Sequence, residues 1–225
     1  MSIKKIIPGK YTLTYEGEGE IALFPAEHVN ILDNTPGKIE FEIKSPQVFI
    51  SFKKINPQNY IKNVHLALPG TENIFHKEPF RAGFLKMWVP MNTFRFMDWM
   101  HTNGSEIVKW EDRPKLDDST YTVKGIPLEL MIELCNRQKI NPWFCMPHLA
   151  DDNYVKNFAE TVKQKLDSSL HLYIEYSNEV WNNQFPQNTY AMKKAKEFNL
   201  GPPERPWEGA AMFHCRRSAQ IFKIW

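Results

Sequence analysis

Long apolar runs, paired cysteines and an excess of either charge are all missing from this sequence. Its 225 residues hold 28 Lys and Arg against 26 Asp and Glu, a formal net charge of +2, and so even a balance leaves no electrostatic footprint for nucleic acid or an anionic membrane. No stretch is long and apolar enough to suggest a bilayer span, and residues 1–8 carry two lysines without the apolar core of a signal peptide. The expectation is a soluble, unexported chain, unless a leader has been removed. The three cysteines, Cys135, Cys145 and Cys215, are an odd number without metal-ligand spacing. That argues against a full disulfide framework, and neither a metal nor a cofactor is expected. Internal repeats and low-complexity tracts are also lacking.

What is plentiful is aromatic side chain, 13% of the residues with seven Trp, a composition that fits a filled core and also fits rings that stack on sugars. Short β segments fill residues 11–52, with the clearest alternation in Lys38–Lys44, where Ile39, Phe41 and Ile43 share one face. This reads as a small antiparallel accessory domain over residues 1–56, more a structural cover than a sugar-binding module. From residue 57 onward strands and helices alternate: Ile61–Leu68, a helical segment at Phe80–Val89 stopped by Pro90, Thr93–Trp99, a helix at Pro127–Gln138, Asn141–Pro147, a helix at Tyr154–Leu166, and Leu172–Tyr176. Two further helices, Tyr190–Phe198 and Trp207–Trp225, complete the pattern. Four strands separated by helices imply a parallel α/β arrangement.

The chain's most informative stretch is the end of the fourth of these strands, where Tyr176 gives way to Asn178, Glu179 and Trp181. In parallel α/β folds, chemistry gathers at the C-terminal ends of strands. An Asn-Glu pair ending a fourth strand resembles the acid/base signature of the clan A retaining glycoside hydrolases, the (β/α)8-barrel enzymes that include cellulases and mannanases. The same group has an Arg on its second strand and a His ending its third, and Arg95 and His148 stand at the similar places here. The resemblance spans about residues 63–225. It implies a partial TIM barrel, its first four βα units over residues 57–225, behind the β domain. It also implies action on β-linked polysaccharide, with Glu179 as general acid/base and Asn178 holding a sugar hydroxyl.

Each residue has a plainer reading beside that one. Arg95 can hold a nucleophile ionised or simply pair with a buried acid such as Glu175. His148 can donate to a sugar hydroxyl or be a hydrogen-bonded structural histidine. Trp99, Trp110 and Trp181 are candidate stacking platforms, Tyr176 flanks the acid, and Asp98 ends the second strand as a further candidate substrate contact. Asp151 and Asp152 read as helix caps. A retaining mechanism needs a second carboxylate about 5–5.5 Å from the acid, and the group places it on a seventh strand, so no nucleophile is assigned and the isolated chain is expected to be inactive. A non-catalytic carbohydrate-binding or structural component of a larger assembly is the alternative. Either way the expected partner is an oligo- or polysaccharide, with self-association or a complementary barrel half covering the open edges.

Overall fold

A computed structural model describes residues 6–75 and 77–225; the leader question at residues 1–5 lies outside them. The chain forms two compact units, divided between Pro79 and Phe80.

The first unit is antiparallel. Strands β1 (Lys10–Glu16), β2 (Gly19–Phe24), β3 (Val29–Thr35), β4 (Lys38–Ile43), β5 (Phe49–Ile55) and β6 (Lys62–Ala67) make a four-stranded sheet in the order β3-β4-β1-β6 and a separate β2-β5 ribbon. Alternation decides which side chains are buried. Tyr11 opposite Phe41 and Leu13 opposite Ile39 put one side of β1 and β4 into the core, and the Tyr11 and Phe41 rings stack at 5.6 Å.

The second unit contains the parallel part. Helix α1 (Ala82–Met87) precedes β7 (Thr93–Arg95), and then come α2 (Leu128–Gln138), β8 (Asn141–Met146), α3 (Asp152–Lys165), β9 (Tyr173–Tyr176), α4 (Pro186–Glu197) and α5 (Pro206–Ile224). The three strands form one parallel sheet in sequence order. Phe96, just past β7, stacks on Phe144, which meets Phe158 of α3 edge-on. The apolar stripes of α2 (Met131, Ile132, Cys135) and α3 (Val155, Phe158, Val162) bury against this side of the sheet. Asp151 caps α3 by accepting a hydrogen bond from the Tyr154 N–H at 2.7 Å.

The expected partial (β/α)8 barrel is not what forms. Residues 62–67, read as its first strand, pair antiparallel with β1 in the first unit. A strand's own residues do not say which partner it takes, and β6 takes the edge of β1, with Leu66 opposite Leu13 and Ala67 opposite Thr12. The protein is a mixed α/β chain of two antiparallel sheets and one small parallel sheet. Among the described residues no helix is long and apolar enough to cross a membrane.

Candidate active site at the ends of the parallel strands

Arg95 is the last residue of β7 and lies beside Trp143 of β8 in the parallel register, which in turn lies beside Tyr173 of β9. Its guanidinium sits 5.3 Å from the Trp143 ring centre and reaches across the sheet. Arg95 Nε and Nη2 donate to the Glu175 carboxylate at 2.8–3.0 Å, and Nη2 also donates to Asn178 Oδ1 at 2.8 Å. Of its two sequence readings, the ion pair with Glu175 is therefore present. The Cys145 thiol donates to the same carboxylate, and burial together with the charge of Glu175 pushes its pKa up to about 12, so it stays a thiol.

Asn178 is buried and bridges two elements. While its Oδ1 accepts from Arg95, its Nδ2 donates to Asn103 Oδ1 at 2.9 Å. These two bonds use one of the amide's two N–H groups and one of its oxygen's two lone pairs. Glu179 is exposed, and its carboxylate accepts a hydrogen bond from Asn182 Nδ2 at 2.9 Å. Trp181, two residues on, is 77% exposed.

His148 is brought to the same end of the sheet but faces elsewhere. It packs edge-on against Tyr190, and burial lowers its pKa to about 4, so the imidazole is neutral at neutral pH. It lines a cavity of about 540 Å3 with Asn183, Gln184, Thr189, Tyr190 and Lys193; neither Arg95 nor Glu179 is among the lining residues. Tyr176 turns to the helix side of the sheet, where it stacks on His214 and donates to the His148 backbone carbonyl at 3.0 Å. Trp99 packs on Phe84 and Phe96, Trp110 packs on Tyr154 under the Arg113 guanidinium, and Asp98 is exposed.

Three residues of this region carry almost no sequence signal of their role. Asn103 sits in the long polar connection after β7, and Gln187 and Asn188 sit in the first turn of α4. All three are amides in segments that read as surface, yet Gln187 and Asn188 are buried. The one available hint was a pair of consecutive amides directly behind Pro186, the helix's first residue. Among the described residues there is no group of three or more His, Cys, Asp and Glu side chains arranged to hold a metal ion. Comparison of the chain with protein families, curated proteins and solved structures finds no match.

Proposed function

We propose that this chain carries the acid/base part of a retaining glycosidase site for β-linked polysaccharide, with Glu179 as the proton donor. The observation that supports it most is the Arg95 guanidinium held between Glu175 and Asn178. It ties β7 to the segment leaving β9, at the strand ends where a substrate would approach. A sugar ring stacked on exposed Trp181 lies within two residues of the acid, and Asn178 keeps one donor and one acceptor for a hydroxyl. Glu175, although Arg95 holds it ionised, is not assigned as nucleophile, because it stands four residues before Glu179, roughly 13 Å at strand rise against the about 5–5.5 Å of a retaining pair. The isolated chain is accordingly expected to bind sugar without cleaving it. The want of an assigned nucleophile favours the second reading, a carbohydrate-binding protein without catalysis. A second copy of the chain, or a complementary polypeptide, is the partner proposed for the open side of the parallel sheet.

Titration calorimetry with a panel of β-linked oligosaccharides tests the reading. Trp181→Ala is expected to weaken binding about tenfold, as loss of an aromatic platform worth about 1.4 kcal/mol would, while Glu179→Gln changes it less than about twofold. No aryl β-glycoside should be turned over by the chain alone. Equal loss in both variants, or no binding by the parent chain, removes the proposal.

A further inference from the structure

Glu179 has a backbone φ of +40°, and Ser177 two residues earlier one of +61°. Left-handed backbone is disfavoured for any residue with a Cβ, so a non-glycine side chain stays there only when its surroundings hold it. The restraint comes from two adjacent side chains of α4. Gln187, fully buried, donates from Nε2 to the Asn178 carbonyl at 2.8 Å, and Asn188, 3% exposed, donates from Nδ2 to the Val180 carbonyl at 2.7 Å. These two carbonyls flank Glu179 on either side. The first belongs to the peptide that joins Asn178 to Glu179, whose plane sets the φ of Glu179 directly.

Gln187 is itself held on every side. Its Nε2 also donates to Asn103 Oδ1 at 2.7 Å, and its Oε1 accepts the Gly104 N–H at 3.1 Å. Asn103 Oδ1 in turn accepts from Asn178 Nδ2, which closes a ring of hydrogen bonds from the Asn178 side chain through Asn103 and Gln187 to the Asn178 backbone. A buried amide whose groups are all satisfied is costly to rearrange. On the other side of the turn, the Asn182 N–H donates to the Glu179 carbonyl at 2.8 Å.

We propose that Gln187 and Asn188 are positioning residues, a clamp on the first turn of α4 that keeps Glu179 in its left-handed backbone conformation and so aims its carboxylate and Trp181. That the clamped group is a proton donor rests on the proposed role of Glu179 in glycosidase chemistry; the clamp is tested without it.

The test is a double-mutant cycle, with urea unfolding of the parent, Gln187→Leu, Glu179→Gly and the double variant. Glycine adopts positive φ without strain, so losing the clamp releases strain in the parent and none in the Glu179→Gly background. Gln187→Leu should therefore lower the folding equilibrium constant in both backgrounds, but about fivefold less in the parent, where the loss is partly offset as Glu179 relaxes, than in the Glu179→Gly background. In the same samples the Glu179 13Cα shift and HN–Hα coupling, which report its φ, should move away from left-handed values in Gln187→Leu. Oligosaccharide affinity should drop about tenfold. Equal destabilisation in both backgrounds, or an unchanged φ signature, overturns the clamp. A parent chain that binds no sugar sinks the glycosidase reading while the cycle and the φ signature still decide the clamp. Should Gln187→Leu not fold, Asn188→Leu goes through the same cycle with the same two deciding outcomes.

Discussion

His148 is 5% exposed, and burial takes its pKa from an ordinary 6.5 to about 4. The unfolded chain therefore takes up this proton at higher pH than the folded chain does. Stability from the neutral imidazole is complete above pH 6.5, is lost as the pH falls through the window from about 6.5 to about 4, and then levels off. Across the whole window the effect is of order 3 kcal/mol. Burial also lowers the pKa of His214, against the pull of Glu175, so a smaller slope of the same sign belongs to that residue. Urea unfolding at pH 4.5 and 7 should show a clear gap for the parent chain and a much narrower one for His148→Gln; an undiminished gap would place the acid sensitivity elsewhere. Arg95 is the residue whose alternatives the sequence left open. Its salt bridge to Glu175 joins residues 80 apart in the chain, and only the parallel register brings them together.

At the level of elements, α4 and α5 pack through a glycine. Gly209 is buried in the first turns of α5, and a Cβ there would come within 2.5 Å of the Leu200 carbonyl oxygen. Glycine to alanine inside a helix ordinarily stabilises by about 1 kcal/mol. Gly209→Ala is expected to reverse that sign and lower the thermal midpoint, as calorimetry can establish, because the close atom is backbone and cannot swing away; a raised midpoint would mean that the two helices separate freely. The helices and the last three strands were legible because their apolar stripes and alternation are local. Met131, Ile132 and Cys135 mark α2, and Val155, Phe158 and Val162 mark α3. β3 and the pairing of β6 were not, since Ile31 and Leu32 stay exposed and give no alternation, and the edge a strand joins depends on residues far from it. The Asn178-Glu179 turn was visible as a break in the β pattern after Tyr176. Its supports, Asn103, Gln187 and Asn188, were not, because an amide in a polar segment has the same sequence signature whether it faces water or a buried carbonyl.

Taken whole, the second unit has a parallel sheet whose two sides differ. Phe144, Met146 and Tyr176 are buried on the helix side, while the side that bears Arg95, Trp143, Tyr173 and Glu175 keeps Tyr173 46% exposed and Trp143 partly so. Parallel sheets occur almost only with both faces covered. β7 and β9 are also edge strands of that sheet, each with one side unpaired among the described residues, and free edges invite further strands. The chain is therefore expected to self-associate. In sedimentation equilibrium its weight-average mass should climb above the 26.5 kDa of one chain as concentration rises through the micromolar range. Tyr173→Lys, which puts a charge on the β9 edge at a position already exposed, should shift the equilibrium back toward single chains with little change in folding stability. A mass that stays at one chain throughout, or an association indifferent to this charge, would mean that the open side of the sheet is tolerated in water or that contact is made elsewhere.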